Sequence, residues 1–389
     1  MPPSKHAMLG ASGAHRWLAC PPSAMWETSF PETGSSEAAA EGTLAHAIAE
    51  THLRQRLEGN GIATPLQFQA DPLYKAAMEE YVGVYEDYVL AALTEAQQTT
   101  PDARLVLEQK VDFTDWVPDG WGTADAVLIS DDLLQVFDLK YGKGVPVDAV
   151  GNPQIRLYAL GAYLDYQNLY DIKKIRVHII QPRLDSISSE DLTVEALLAW
   201  ADKEVKPRAQ EAAAGKGAFK AGDHCRFCRC KNVCRTYAEK QLELARIAFT
   251  ETGEERSPNE LSPAEIGDIL SRVDELTRWA KSVKDWALDQ ATSGEMVFPG
   301  WKIVAGRSNR IITDKTAAAE LLEKAGFVPS DLYELKTLTA LEEVAGKKKL
   351  GEILGELIVK PDGKPVLAPE SDKRPAINSA ASVFTKIDE

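Results

Sequence analysis

Four of the five cysteines in this 389-residue chain fall within one short stretch, Cys225, Cys228, Cys230 and Cys234, and the fifth, Cys20, stands far upstream. In a reducing compartment, thiols clustered at such spacing read as metal ligands rather than disulfide partners. Several ligand sets are open. All four clustered cysteines could hold one Zn²⁺, although Cys228-x-Cys230 departs from the usual Cys-x-x-Cys pairing. Without Cys230, the pair Cys225-x-x-Cys228 and then Cys234 need a fourth thiolate from elsewhere. Cys20 is the only one that remains.

Composition narrows the class. With 44% hydrophobic and 26% charged residues the chain can bury a sizeable core, and its length suits roughly two or three domains. No apolar run approaches the ~20 residues of a membrane span. The start, Met1-Pro2-Pro3-Ser4-Lys5-His6, lacks the layout of a secretory signal, so a cytoplasmic location is expected, the host's if a phage encodes the protein. Lys plus Arg (44) against Asp plus Glu (59) gives a formal charge of −15. That excludes a protein that coats DNA through a cationic surface. It leaves room for an enzyme that gathers its basic groups in a cleft.

Periodicity divides the chain. A short helix over Leu9 to Cys20, opened by Ser12 and stopped by Pro21-Pro22, precedes helices over Glu37 to Leu57 and Tyr74 to Gln98. Three strands follow, Arg104 to Phe113, Gly122 to Ser130 and Leu133 to Lys140, the last two separated by Asp131-Asp132. A helix with Asn152 as cap and Pro153 at its first position runs to about Asn168. Ile175 to Gln181 is a fourth strand and Val194 to Ala213 a helix. The expected fold is therefore α/β, a mixed sheet flanked by helices. Residues 1–250 form this unit and residues 251–359 a mainly helical accessory region. The linker is Ser257-Pro258-Asn259-Glu260. The accessory region holds a long helix over Ala264 to Ala291, with Trp279 and Trp286 one heptad apart, a strand over Trp301 to Val304 and a helix over Lys315 to Ala325. Residues 360–389 read as an extended tail.

Within Val136-Phe137-Asp138-Leu139-Lys140, alternate residues share a face. Phe137 and Leu139 can enter the core while Asp138 and Lys140 project into a cleft. If the preceding strand pairs with this one as a hairpin, Asp125 becomes a cross-strand neighbour of Asp138. Two carboxylates so placed can share Mg²⁺ or Mn²⁺, the hard cations that suit phosphodiester hydrolysis. Taken alone, Asp-x-Lys is more often just the exposed face of a half-buried strand.

The company this triplet keeps is what distinguishes it. Gly42-Thr43-Leu44-Ala45-His46, then Gly122…Asp125, then Asp138-x-Lys140, then Gln154-x-x-x-Tyr158 together resemble the PD-(D/E)xK nuclease superfamily. The closer likeness is to its RecB-like iron–sulfur exonuclease branch, which includes AddB-type and CRISPR-associated exonucleases. The resemblance spans Leu9 to Tyr237 and implies a restriction-endonuclease-like sheet. It implies His46, Asp125, Asp138 and the backbone carbonyl of Leu139 as metal ligands, with Glu108 as an accessory acid and Lys140 orienting the attacking water. Gln154 and Tyr158 would hold phosphate or the lysine, and Glu50 would support His46. It also implies a [4Fe–4S] cluster on Cys20, Cys225, Cys228 and Cys234, in which Ser12, Trp17 and Pro21 frame the N-terminal cysteine. Such a cluster would staple the ends of the unit together; Zn²⁺ is the alternative, and Cys230 is left spare. Arg226, Arg229, Lys231 and Arg235 form a local positive patch suited to DNA backbone.

The function expected is that of a stand-alone metal-dependent DNA exonuclease in recombination, repair or phage DNA processing. No Walker-type Gly-x-x-x-x-Gly-Lys-Ser/Thr accompanies it, so unwinding is not intrinsic. A structure- or sequence-directed DNA endonuclease is one alternative and a non-catalytic, zinc-containing nucleic-acid-binding protein another. DNA is the expected partner. A single-strand annealing or binding protein is a further partner that the accessory region could recruit; no membrane association is expected.

Overall fold

A computed structural model describes residues 7–31, 36–243, 263–305 and 312–359. The leader at Met1 to His6, the linker at Ser257 to Glu260 and the tail 360–389 lie outside the described residues. The N-terminal part builds α1 (Ala14–Ala19), α2 (Pro22–Glu27), α3 (Glu37–Leu57) and α4 (Ala77–Thr99). The sheet strands are β1 (Arg104–Asp112), β2 (Trp121–Ile129), β3 (Leu133–Leu139), β4 (Lys174–Gln181) and β5 (Ser186–Thr193). Helix α5 (Pro153–Tyr166) crosses from β3 to β4; α6 (Val194–Trp200), α7 (Lys206–Ala213) and α8 (Arg235–Leu242) follow. The accessory part contains α9 (Pro263–Ser293), α10 (Lys315–Lys324), α11 (Leu338–Ala345) and α12 (Lys347–Leu354).

The five strands lie in sequence order, β1-β2-β3-β4-β5. Every neighbouring pair is antiparallel except β3 and β4, which run parallel. A parallel pair needs a long crossover, and α5 supplies it. Its start is built locally: the Asn152 side chain accepts the Gln154 amide at 3.0 Å and Pro153 takes the first position, where no N–H is needed.

Helices cover both faces of the sheet, so the central strands are buried on both sides. Leu134 and Val136 of β3 join α5 in one core, whereas Phe137 and Leu139 join α3 and α4 in another. Gly161 makes the first core possible: a Cβ there would lie 2.8 Å from Val111 Cβ, so the bare helix surface is what lets α5 sit on β1.

Four departures from the sequence expectation have physical causes. Pro22 does not end structure but opens α2, because proline is tolerated in a first turn. The expected single helix over Val194 to Ala213 is interrupted by a π-helical turn at Ala201–Val205, just ahead of Pro207, which cannot donate the usual bond. Strand β5 had no apolar alternation to announce it. Its exposed side chains are Ile187, Ser189, Asp191 and Thr193, while Glu190 turns inward to Arg156 of α5, and the ion pair between Arg176 and Asp191 ties the strand to β4. Trp301 to Val304, expected as a strand, joins no sheet among the described residues, and Trp301 is 81% exposed.

The two ends of the sheet-bearing part meet. Glu27, at the end of α2 and only 3% exposed, pairs with Arg16 at 2.7 Å and accepts the Arg229 amide at 2.8 Å. No described helix is long and apolar enough to cross a membrane. A buried carboxylate with these two partners is costly to remove from one side only. Glu27→Ala should therefore cost about 3–5 kcal/mol in urea unfolding, because it strands Arg16; a midpoint shift equivalent to less than about 1 kcal/mol would show that water compensates the loss.

Candidate active site

The sheet register assembles the acids. In the β1–β2 ladder Leu107 faces Ala126 and Gln109 faces Ala124, so Glu108 stands level with Asp125. In the β2–β3 ladder Ala126 faces Phe137, so the next step outward brings Asp125 level with Asp138. Three carboxylates on three neighbouring strands thus occupy one row. The regular ladder gives out along it. Glu108 takes a left-handed φ of +50° between its paired neighbours, a conformation that costs a non-glycine residue of order 1–3 kcal/mol and concentrates at functional sites. Asp125 Oδ2 accepts the Leu139 amide at 2.7 Å, a side chain holding the end of β3 where the ladder has stopped. On the other side of β3 the Lys140 amide still bonds the Ile180 carbonyl at 2.8 Å, which fixes the lysine's backbone.

Side chains then converge from both helical layers. From α3, His46 Nδ1 lies 3.2 Å from Asp125 Oδ1. From α5, Gln154 accepts from Lys140 Nζ at 3.0 Å and its amide group donates to the Tyr158 hydroxyl at 3.1 Å and to Asp138 Oδ1 at 3.4 Å. Lys140 Nζ is 2.8 Å from Asp138 Oδ2, and the Asp138 side chain is only 4% exposed. Lys140 thus compensates the charge on Oδ2, which has no other donor among the described residues. The Tyr85 hydroxyl of α4 is likewise buried without a partner among the described residues, within electrostatic reach of Asp125, Asp138 and Glu108. Gly122 is required by Tyr158: a Cβ there would fall 2.6 Å from the tyrosine ring.

His46, Glu108 and Asp125 each offer a ligand atom, all within 4.8 Å of one another. These donors, one imidazole and two carboxylate oxygens, suit a hard or borderline divalent cation. The sequence placed all three in its candidate set; only their grouping, with Asp138 beside the trio rather than in it, needed coordinates. Glu50 does not reach His46 but pairs with Arg54 at 2.7 Å. Tyr85 was missed, since its only signal was a place in an aromatic stripe at helical spacing.

The electrostatics follow from this crowding. Burial raises Asp138 above the usual carboxylate range, opposed by Lys140 and reinforced by Asp125. Burial acts upward on Asp125 too, but His46, the Leu139 amide and Lys140 hold it low. Burial and the Asp125 charge push Glu108 up to about 7. Burial draws His46 down, yet Asp125 and Asp138 outweigh it and carry the imidazole up to about 9.

The cysteines gather at the other end of α1. Cys20, Cys225, Cys228 and Cys234 line one small cavity with Ser23, His224 and Tyr237, while Cys230 is fully buried outside it. The Lys220 amide approaches Cys20 Sγ at 3.5 Å and the Gly222 amide Cys225 Sγ at 3.4 Å. Among the described residues no three cysteine sulfurs lie within 4.8 Å of one another. Of the basic residues nearby, Arg226 and Lys231 line the groove leading to Lys140. Arg229 is turned toward Glu27 and the Phe30 carbonyl instead, and Arg235 is exposed outside that groove.

The chain belongs to the DUF2800 family, described as a protein of unknown function, which it matches over residues 6–375. Among solved structures it is similar to SSO0001, at 14% identity and a TM-score of 0.26, over 61% of this chain and 90% of that one. It is also similar to a protein named "Putative exonuclease" from Eubacterium rectale, at 13% identity and a TM-score of 0.33, over 57% of this chain and 86% of that one.

The titration of His46 has a measurable outcome. The fold favours the imidazolium, so this contribution to stability is present below pH 6.5 and is lost as pH rises through about 9. A cation must displace that proton, so above the titration of Glu108 near 7, Mn²⁺ affinity should rise from about pH 7.5 to 9, by up to about tenfold per pH unit, with release of about one proton. Calorimetry in buffers of different ionisation enthalpy reads both quantities. A pH-independent affinity would remove His46 from the ligand set.

Proposed function

We propose that this protein is a metal-dependent DNA nuclease that hydrolyses phosphodiester bonds, acting as an exonuclease on DNA ends. The observation that carries the reading is the row of Glu108, Asp125 and Asp138 across three strands, faced by His46 and Lys140. A buried concentration of negative charge is unfavourable unless cations meet it. Among the described residues, Lys140 is the fixed cation in contact with the row, beside a titratable imidazole.

His46, Glu108 and Asp125 would hold a Mg²⁺ or Mn²⁺ ion, with Asp138 and the Leu139 carbonyl completing or sharing the site. A cation so held lowers the pKa of bound water and neutralises charge that builds on the phosphate. The residues of the chain do the rest. Lys140, fixed by Asp138 and Gln154, presents an ammonium that can orient the attacking water or hold a phosphate oxygen. Tyr158 braces Gln154 and so keeps the lysine aimed. Both braces come from one turn of α5, so the helix that makes the parallel crossover also sets the geometry of hydrolysis.

The cysteine cavity is read here as the seat of a [4Fe–4S] cluster on Cys20, Cys225, Cys228 and Cys234, with a structural role. One feature supports this set of four over one that includes Cys230. The four lining cysteines leave out Cys230, the member that breaks the Cys-x-x-Cys spacing.

Digestion of end-labelled linear DNA against closed circular DNA, with Mg²⁺ or Mn²⁺, tests the first reading. Loss of linear DNA with circles intact is expected; nicked circles would indicate an endonuclease, and untouched DNA would remove the nuclease reading. Asp138→Asn should stay folded and lose on the order of 10²–10⁴-fold in rate. For the second reading, anaerobically purified protein should absorb broadly in the visible range. Cys20→Ser should lower the melting temperature about as much as Cys234→Ser and far more than Cys230→Ser. Colourless protein with stoichiometric zinc would reverse that assignment.

A further inference from the structure

A groove leaves the acidic pocket and runs away from the sheet toward the accessory part. Ser12 and Lys140 line both the pocket and the groove, so the two are continuous. One wall is the stretch from Val145 to Gln154, at the start of α5. The opposite wall has two parts: the cysteine-bearing segment, through Arg226, Phe227 and Lys231, and helix α9, through Arg278 and Trp279.

Helix α9 is anchored on that segment by directed bonds. Glu275 accepts from Tyr237 at 3.2 Å, Lys240 at 3.3 Å and Gln241 at 2.9 Å. Trp279 Nε1 donates to the Lys231 carbonyl at 3.4 Å, and Ser282 donates to Asn232 at 2.7 Å. These bonds leave Arg278 facing the groove, in no ion pair among the described residues.

Phe227 is the unusual member. It sits between Cys225 and Cys228 yet is 70% exposed, with the Arg226 guanidinium 5.6 Å from its ring centre. A phenyl ring held out in water beside a cation, in a groove that leads to a hydrolytic centre, suits stacking against an unpaired base. Paired bases hide their faces, so a duplex would not use it. The groove is not a cationic sheath, since Asp148, Asp223 and Asp274 also line it. A strand held there relies on stacking and a few point contacts to phosphate, in keeping with the net charge of −15.

We propose that α9 and the cysteine-bearing segment form the outer wall of a groove that grips single-stranded DNA beside the catalytic pocket. Phe227 is the base platform, and Arg226 and Arg278 are the phosphate-binding groups. This rests on the nuclease reading for the meaning of the pocket but not for its test, because binding is measured without cleavage. Fluorescence anisotropy of a labelled single-stranded oligonucleotide, with the full chain in EDTA, reads the groove directly.

Phe227→Ala and Phe227→Leu should each weaken binding about tenfold, while Phe227→Tyr keeps it. Arg278→Ala should weaken it and make the salt dependence shallower by about 0.7 for each phosphate that is no longer neutralised. Lys173→Ala, on an exposed loop remote from the groove, should do neither. Thermal melting separates these effects from misfolding, and the Tyr variant keeps the test decisive if the Ala variant is unstable. Wild-type affinity in Phe227→Leu and Arg278→Ala overturns the proposal, as does equal binding of duplex with no effect of Phe227. If the variants lose binding but the wild type never cuts DNA, the groove stands and the nuclease reading falls; if cutting persists while binding is indifferent to these residues, only the groove falls.

Discussion

A single hydrogen bond, from the Leu139 amide to Asp125 Oδ2, marks the place where this sheet stops being a sheet and becomes a site. Up to Ala126 and Phe137, strands β2 and β3 are joined by ordinary ladder pairing. One step further, while the Lys140 amide still bonds the Ile180 carbonyl on one side of β3, the side chain of Asp125 takes over on the other. The bond has two effects. It holds the Asp125 charge against the pull of burial, and it fixes the level at which Asp138 and Lys140 emerge. A longer acid at position 125 would keep the charge and lose the register.

The same row explains why a group of like charges survives folding. Three carboxylates at one level of a sheet would repel, and each arrives with its own compensation: His46 for Asp125, Lys140 for Asp138, and a raised pKa near 7 for Glu108. The protein as a whole is acidic, so this compensation is local and does not come from a background of positive charge. Positive groups are spent where geometry needs them. Arg16 goes to Glu27, Arg156 to Glu190 and Arg183 to Glu41, all side chains with little exposure.

Much of this was legible in the residues, for reasons that can be stated. Helix α5 carries its own start signal, Asn152, whose side chain caps as expected, and Ser36 caps α3 in the same way. Strands β1 to β4 announce themselves through apolar alternation or continuous apolar runs. Asp125 and Asp138 could be paired from the hairpin alone, since antiparallel register is fixed once the turn at Asp131-Asp132 is placed. Strand β5 could not be read, because its outer face lies in water and its covered face carries Ser188 and Glu190 as well as Leu192, leaving no apolar alternation to show. The special conformation of Glu108 was hidden for a similar reason: nothing in Leu107-Glu108-Gln109 distinguishes it from a regular strand. The roles of Phe227 and α9 required three-dimensional adjacency, as their neighbours come from distant parts of the chain.

That adjacency has a consequence for how the molecule comes into being. The bond from the Lys220 amide to Cys20 spans 200 residues and that from the Arg229 amide to Glu27 spans 202. Bonds between groups so distant in sequence close late, since a long loop must lose its freedom before they form. During synthesis, α1 and α2 emerge early, and Cys20 and Glu27 must wait for these partners until the cysteine-bearing segment has left the ribosome. The strand row that bears Glu108, Asp125 and Asp138 can form before then. The turn at Ser12, shared by the pocket and the groove, packs beside Gly122 of β2 and can be placed with the sheet, whereas the groove wall at Arg226, Phe227 and Arg278 comes later in the chain. Each new copy of the protein therefore assembles its acids well before it finishes the cleft around them.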